Sequence, residues 1–135
     1  MAAAEVTRRR DDATGATRIL ICDDAPDHRA LVRAVLAEVP GVEIVGEAAD
    51  GDTCLTAIAL TDPDVLVLDL HMPRSDGYKV LASLSDLLTP PRVLVLSSTR
   101  DDGARARVTA AGAEFLPKGA SPDELAAAVR RLAAD

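Results

Sequence analysis

Three carboxylates stand directly after short apolar runs and are the residues of this sequence most able to do chemistry. Asp69 follows VLVL (65–68), and the pair Asp23 and Asp24 follows ILIC (19–22). A carboxylate at the end of a run suited to a dry core costs free energy unless a partner compensates its charge. A group of carboxylates suits a hard divalent cation, because Mg²⁺ takes oxygen ligands. We therefore expect these three side chains to hold a metal ion.

Two polar groups follow later apolar runs and extend this chemistry. Ser97 follows VLVL (93–96), and Lys118 comes directly after Pro117. A carboxylate such as Asp69 can attack phosphorus and form an acyl phosphate. The transferred group is highly charged and needs cations and hydrogen-bond donors around it. Lys118 and the metal ion would supply positive charge and Ser97 would donate to a phosphoryl oxygen, so the set favours phosphoryl transfer.

Any one of these residues alone would be typical of a cap or a turn, because aspartate often accepts hydrogen bonds from free backbone amides at helix starts. That structural interpretation is preferred for Asp27, Asp50, Asp62 and Asp76, and His28 is interpreted as a surface residue of a helix. The candidate site differs from these by its joint pattern. An acid pair, an acid, a hydroxyl and a lysine each stand at the end of a separate apolar run.

Five apolar runs alternate with stretches of helical periodicity, and this order predicts the elements that position the site. The runs are rich in Val, Leu and Ile, as in strands buried on both faces of a parallel sheet. Ligands of such sheets bind at the carboxyl ends of the strands, where the strand order reverses. We expect an α/β fold, a flavodoxin-like doubly wound (βα)5 sandwich with parallel sheet order 2-1-3-4-5. The five predicted strands are ILIC (19–22), VEIVG (42–46), VLVL (65–68), VLVL (93–96) and EFL (114–116).

The helical stretches differ in how clearly they are marked. Leucines and a valine recur at helical spacing over 80–88, which predicts a third helix that ends before Pro90. The stretch 101–111 predicts a fourth helix that is rich in Ala and Arg and has little apolar surface. The last helix begins at SPDE, where Ser121 can cap it and Glu124 can reach back to the amide of the cap residue.

Length and composition bound the kind of protein. A chain of 135 residues suits one domain with a sizeable core, and that core must be aliphatic because aromatic residues are only 1%. Asp and Glu outnumber Lys and Arg by 22 to 15, which gives a formal charge of −7. Such a charge argues against direct nucleic-acid binding, since that affinity comes largely from basic side chains on phosphates. No apolar run approaches the roughly 20 residues of a membrane span.

The N-terminal segment and the cysteines indicate the compartment. Residues 1–17 have no periodicity and are predicted to be a disordered tail. They contain no apolar stretch typical of a secretory signal, so a cytoplasmic location is expected by default. Cys22 and Cys54 fit a reducing compartment and are interpreted as buried small hydrophobic residues.

From about Thr17 to Asp135 the sequence resembles a response-regulator receiver domain of two-component signalling. The matching pieces are ILICDDAPDHRALVRAVL, VGEAADG, DVLVLDLHMPRSDGY, VLVLSS and FLPKGASPDEL. The resemblance implies a receiver domain over 18–135 in which Asp69 takes a phosphoryl group from a sensor histidine kinase. VGEAADG and KGASPDEL resemble receivers that carry a helix-turn-helix output domain, and no such domain is expected here.

The resemblance also implies roles for individual residues. Asp24 would bind Mg²⁺ (or Mn²⁺) directly, Asp23 mostly through water, and Asp69 and the backbone carbonyl of His71 would complete the protein ligands. Phosphorylation would shift an equilibrium that repacks the face made by the fourth helix, fifth strand and fifth helix. The residues implied for catalysis, switching and phosphate lifetime are Lys118 beside the phosphoryl group, the switch residues Ser97 and Phe115, and the lifetime-tuning residues His71 and Thr99.

The expected partners are a sensor histidine kinase or phosphotransfer protein and an unknown downstream protein, with a phosphorylation-dependent homodimer as a further form of output. We expect no enzyme beyond self-catalysed phosphotransfer and autodephosphorylation. The open alternatives are a receiver fragment of a DNA-binding transcription regulator and a degenerate receiver that acts as a phosphorylation-independent interaction module. A haloacid-dehalogenase-type hydrolase is disfavoured, because His71 stands where a second acid is needed. A flavodoxin-like cofactor binder is disfavoured because the loop DDAPDH would repel a phosphate.

Overall fold

The computed structural model describes residues 15–72, 76–98 and 102–134, and its centre is a five-stranded parallel sheet. The strand order is 2-1-3-4-5, which confirms the predicted fold class. No helix in the described part of the chain is long and apolar enough to cross a membrane. The elements in chain order are β1 (Thr17–Cys22), α1 (Pro26–Ala37), β2 (Val42–Ala48), α2 (Gly51–Thr61), β3 (Val65–Asp69), α3 (Gly77–Leu84), β4 (Arg92–Ser97), α4 (Asp102–Ala110), β5 (Glu114–Pro117) and α5 (Pro122–Ala134).

Alternation along the strands sends aliphatic side chains to both faces of the sheet. In β3, Leu66 and Leu68 pack with α2, α3 and α4, whereas Val65 and Val67 pack with α1 and α5. All five residues of β3 are buried, which is the reason for its continuous apolar composition. The central strand therefore ends at Asp69 with helices covering both of its sides.

The first strand begins at Thr17, which pairs with Val42 of β2. The strand thus includes the last residue assigned to the predicted tail. Most of that tail, residues 1–14, lies outside the described residues.

The third helix is shorter than the sequence predicts. It ends at Leu84, and Leu87 and Leu88 lie in the following turns with 42% and 89% of their surface exposed. The prediction that these two leucines continue a buried helical stripe is therefore wrong. At the helix end, the Ser85 hydroxyl donates to the carbonyl of Ala82 at 2.8 Å. Such local side-chain bonds compete with the helical ladder, so a favourable spacing alone does not extend the helix.

The described ends of α2, α3 and α5 follow the predicted caps, whereas α1 begins after Ala25 without a side-chain cap, so Asp27 lies in its first turn and does not cap it. The amide of Ser121 donates to the Glu124 carboxylate at 2.9 Å, and the amide of Glu124 donates to the Ser121 hydroxyl at 3.1 Å, so the predicted reciprocal cap of α5 is confirmed. The carboxylates of Asp50 and Asp76 each accept from the amide three residues later, at 2.8 and 3.0 Å. Asp62 ends α2 with a φ of 47°, in the left-handed region that aspartate tolerates.

The two cysteines are buried as predicted, but they are not separate thiols. Cys22 at the end of β1 and Cys54 in α2 are joined by a disulfide, with their Cα atoms 6.0 Å apart. The interpretation of both as unpaired small hydrophobic residues is therefore wrong, because the packing of α2 on the sheet brings them within bonding reach. The pair accordingly gives no support for a reducing compartment.

Candidate functional site

The register of the two central strands brings the predicted carboxylates together. Cys22 of β1 pairs with Leu68 of β3, so the residues that follow them, Asp23 and Asp69, lie side by side at the carboxyl ends of the two strands. Oxygens of Asp23, Asp24 and Asp69 lie within 4.8 Å of one another. Asp23 and Asp69 are each only 2% exposed, whereas Asp24 lies at the surface. The three carboxylates form a pocket that opens to solvent on the Asp24 side.

Asp69 is held by one backbone donor and one cation. The amide of His71 donates to one carboxylate oxygen at 3.1 Å, and Lys118 Nζ donates to the other at 3.0 Å. Lys118 lies 3.9 Å from Asp23, so it is closer to Asp69 than to the neighbouring acid. The amide of Lys118 also donates to the carbonyl of Ser97 at 2.9 Å, which ties the loop after β5 to the end of β4.

The electrostatics of the pocket act in both directions on Asp69. Burial is the largest influence and raises the pKa of Asp69 above its ordinary value of 3.8. The charge of Asp23 also raises this pKa, while the hydrogen bonds from His71 and Lys118 and the charge of Lys118 lower it. The ionised carboxylate is thus less stable here than in water. A divalent cation or an electrophile would relieve that cost.

Asp23 is fixed by contacts that the sequence analysis did not anticipate. One of its oxygens accepts from the amide of Ala25 at 2.9 Å, and the other contacts His28 Nδ1. Arg29 Nη1 donates to the backbone carbonyl of Asp23 at 2.8 Å. His28, which the sequence suggested was a surface residue, is only partly exposed, because the first turn of α1 brings its ring against Asp23. In the sequence, only the position of His28 five residues after Asp23 and early in a predicted helix could have indicated this contact.

The remaining predicted residues have different environments where the structure describes them. Ser97 is the fully buried last residue of β4, next to β3 in the sheet. Phe115 in β5 is partly buried, and the guanidinium of Arg105 from α4 lies 4.5 Å from its ring centre. His71 is exposed. Thr99 lies outside the described residues, so its predicted role in phosphate lifetime has no structural counterpart here.

Gly77 packs against the backbone of Asp69, a contact that no pattern in the sequence indicated. It is the first residue of α3, and its amide donates to the carbonyl of Leu70 at 2.9 Å. A β-carbon at this position would lie 2.6 Å from the carbonyl oxygen of Asp69 and 2.6 Å from the Cα of Leu70. The start of α3 can therefore approach the acceptor strand this closely only because residue 77 has no side chain.

The donor set fits a hard divalent cation. Three carboxylates converge, and two of them, Asp23 and Asp69, are buried. Lys118 lies at hydrogen-bond distance from Asp69 but not from Asp23. Oxygen-rich sites of this kind suit Mg²⁺, which keeps several of its waters. The arrangement also leaves Asp69 as a carboxylate between a cation site and an ammonium group, which is the environment that an attacking carboxylate needs.

Comparison with known proteins gives a consistent family match. The family model described as "Response regulator receiver domain" matches residues 19–130. The signal receiver domain of NarL from Mycobacterium tuberculosis is similar at 34% identity, with a TM-score of 0.83 over 88% of this chain and 97% of that chain. A LuxR-family two-component response regulator from Aurantimonas sp. SI85-9A1 is similar at 28% identity, with a TM-score of 0.82 over 88% and 86% of the two chains.

Curated relatives are longer proteins. Protein-glutamate methylesterase/protein-glutamine glutaminase 5 of Myxococcus xanthus is 41% identical over 103 residues, which are 75% of this chain and 30% of that protein. Protein-glutamate methylesterase/protein-glutamine glutaminase 2 of Anaeromyxobacter dehalogenans is 37% identical over 109 residues, which are 80% of this chain and 32% of that protein. This chain thus spans less than a third of either relative. Their named activities belong to the whole proteins.

Proposed function

This chain belongs to the response regulator receiver domain family, and from that premise we propose that Asp69 accepts a phosphoryl group from the phosphohistidine of a sensor kinase or phosphotransfer protein. The observation that supports this most directly is the environment of Asp69. Its buried carboxylate lies 3.0 Å from Lys118 and within 4.8 Å of two further carboxylates. By contrast, the carboxylates of Asp50 and Asp76 each accept a hydrogen bond from a backbone amide at a helix start, which is a capping role.

In the proposed reaction, an oxygen of Asp69 attacks phosphorus and forms an acyl phosphate. The P–N bond to the donor imidazole breaks, and its electron pair stays on the imidazole nitrogen. Lys118 already donates to an Asp69 oxygen and would pair with a phosphoryl oxygen after transfer. Ser97, at the end of the adjacent strand, would donate to another oxygen.

Receiver domains bind Mg²⁺ at an acidic pocket, and the carboxylates of Asp23, Asp24 and Asp69 with the backbone carbonyl of His71 are the groups that would hold it in this chain. The bound ion would neutralise charge on the phosphoryl oxygens. Asp23 and Asp24 would otherwise repel the incoming group, so their role is to position that positive charge next to Asp69.

Output in this proposal comes from the face made by α4, β5 and α5. Phe115 lies in β5, Lys118 directly follows that strand, and Arg105 of α4 lies over the Phe115 ring. Movement of Ser97 and Lys118 toward the phosphoryl group would thus change the packing of this face. It would bind a downstream protein or a second copy of the chain in one state better than in the other, which is a population shift. A cytoplasmic location, where phosphate-donating kinases act, belongs to the same proposal.

The test of the proposed function is phosphorylation of the purified wild-type chain by acetyl phosphate, followed by intact-mass measurement. We expect one phosphoryl adduct in the presence of Mg²⁺ and none when EDTA removes the metal. Absence of any adduct, with beryllofluoride also producing no change in amide NMR signals, would contradict the proposal. The chain would then be better described as a phosphorylation-independent interaction module.

Replacement of Lys118 with Met is expected to slow phosphorylation by acetyl phosphate about 100-fold. The reason is that Asp69 loses the ammonium group 3.0 Å away, which both lowers its pKa and would stabilise the transferred charge. The initial rate of adduct formation at saturating Mg²⁺ measures the effect. Lys79→Met, which removes an exposed lysine of α3, is the matched control and should leave the rate unchanged. A Lys118→Met rate equal to the wild-type rate would exclude this role.

A further inference from the structure

We propose that His28 is a positioning residue for the metal-binding carboxylates: it donates from Nδ1 to Asp23 and fixes the carboxylate in the orientation that a divalent cation needs. The inference rests on the proposed function, because it concerns the cation site beside Asp69. The supporting observation is a contact between His28 and Asp23 that helix periodicity and capping do not explain. His28 lies in the first turn of α1, and its Nδ1 contacts Asp23 Oδ2.

The chemistry of the pair determines the direction of this hydrogen bond. An ionised carboxylate can only accept, so the His28 nitrogen that faces it must carry the hydrogen. Asp23 Oδ1 is already held by the amide of Ala25 at 2.9 Å. Each oxygen of Asp23 is therefore held by one donor from the chain and keeps further acceptor capacity for a metal ion or its waters. The side chains of Asp23 and His28 are 3% and 18% exposed, so water replaces this contact poorly.

A second anchor holds the backbone of the same residue. Arg29 Nη1 donates to the carbonyl of Asp23 at 2.8 Å, and its Nε donates to Glu47 of β2 at 3.0 Å. Arg33 also binds Glu47, at 2.7 Å, and half of its side chain is exposed. Consecutive residues of α1 thus hold the side chain and the main chain of Asp23, whereas Arg33 supports only the outer ion pair.

The consequence concerns Lys118, the ammonium group beside Asp69. Lys118 lies 3.0 Å from Asp69 and 3.9 Å from Asp23. A rotation of the Asp23 carboxylate could close the second distance and draw Lys118 away from Asp69. The hydrogen bond from His28 opposes that rotation, so it keeps Asp23 available to the cation and Lys118 available to Asp69. Hydrogen bonds to ligating carboxylates commonly change metal affinity by about 10- to 100-fold.

His28 could affect the metal site through packing alone instead of through its hydrogen bond, and two variants distinguish these roles. His28 also borders a small cavity lined by Leu31, Val32, Leu116 and Lys118, so its ring could act only as a filler. His28→Leu introduces an apolar side chain of similar bulk and removes the donor. In His28→Asn the amide nitrogen is bonded to Cγ, as Nδ1 is in histidine, so an N–H donor remains near the same position while most of the ring is lost. A positioning role predicts that Asn preserves metal affinity, while a packing role predicts that Leu does.

The experiment is a Mg²⁺ titration of the full chain, followed by amide NMR because the chain has no tryptophan to report binding. We expect the Mg²⁺ dissociation constant to rise at least about tenfold in His28→Leu and His28→Ala. His28→Asn should remain within about threefold of the wild type, and Arg33→Ala should equal it. In acetyl phosphate reactions, saturating Mg²⁺ should restore most of the rate of His28→Leu, because the attacking carboxylate is intact.

Two failures of this experiment are distinguishable. If the wild type binds no Mg²⁺, the proposed function loses its cation and the inference falls with it. If the wild type binds Mg²⁺ and His28→Leu binds it equally well, the proposed function stands and the role of His28 is wrong. Equal losses in His28→Asn and His28→Leu, with all variants folded by thermal melting, would also overturn the hydrogen-bond role.

Discussion

Asp69→Asn is expected to lose phosphorylation completely, with a rate of adduct formation more than about 1000-fold below that of the wild type. Asparagine has nearly the shape of aspartate but is not a nucleophile toward phosphorus under these conditions. The measurement is intact mass after incubation with acetyl phosphate and Mg²⁺. Asp86→Asn, which removes an exposed carboxylate beyond α3, is the matched control and should form the adduct normally.

The same substitution is expected to raise the stability of the fold at neutral pH. Burial raises the pKa of Asp69 above its ordinary 3.8, so the folded chain holds this proton more tightly than the unfolded chain does. The stability linked to that proton is present below about pH 3.8 and is lost as the pH rises through the folded-state pKa. Ionised Asp69 therefore destabilises the fold at neutral pH, and asparagine removes that cost.

Denaturant melts of wild type and Asp69→Asn, at pH 7 and at successively lower pH values, measure the effect. The variant should have the higher midpoint at pH 7, and the difference should shrink as the pH falls below the folded-state pKa. Lys118 still has Asp23 3.9 Å away in the variant, so it does not become an isolated buried cation. An adduct on Asp69→Asn would move the acceptor to another residue, and a variant less stable than the wild type at pH 7 would contradict the burial argument.

Gly77→Ala is expected to destabilise the fold by about 3 kcal/mol, near the upper end for an overpacked position. The added carbon would lie 2.6 Å from the Asp69 carbonyl oxygen and 2.6 Å from the Leu70 Cα. Both are backbone atoms, so no side-chain rotation relieves the contact and α3 must move away from β3. Since a displacement of about 1 Å at a reacting group can cost 100-fold in rate, phosphorylation of Asp69 should also slow.

Urea unfolding and the initial rate of adduct formation together test this prediction. Gly119→Ala is the matched control, because Gly119 follows Lys118 in the site loop and a β-carbon there meets no atom within 4 Å. The control should retain stability and rate. Wild-type stability of Gly77→Ala would mean that α3 and β3 can separate freely, which would be incompatible with the 2.9 Å hydrogen bond from Gly77 to Leu70.

Much of the architecture was predictable because the signals are local. Continuous aliphatic runs predicted the buried parallel strands, and the Ser121 and Glu124 pair predicted the start of the last helix. Polar residues at the ends of those runs predicted the candidate site. The strand order then brings Asp23 and Asp69 together, since the first and third strands are neighbours. Each of these inferences depends on residues within one element or on a rule for joining adjacent elements.

Other features depended on packing between elements and were missed. The 42% and 89% exposure of Leu87 and Leu88 reflects an early helix end that the apolar spacing concealed. The disulfide between Cys22 and Cys54 joins residues 32 positions apart, and it needs a particular seating of α2 on the sheet. No periodicity or cap in the sequence specifies such a distance.

The sequence by itself determined the order of elements, the carboxylate, hydroxyl and lysine groups of the candidate site, and the edge of the sheet at which they meet. Tertiary structure alone decided how those groups are held. The helix that returns His28 to Asp23, the 3.0 Å approach of Lys118 to Asp69, and the closeness of Gly77 to the acceptor strand all depend on contacts between separate elements. Periodicity and capping act over a few residues and can be read along the chain, whereas these contacts exist only once the hydrophobic core has fixed the distances between helices and sheet.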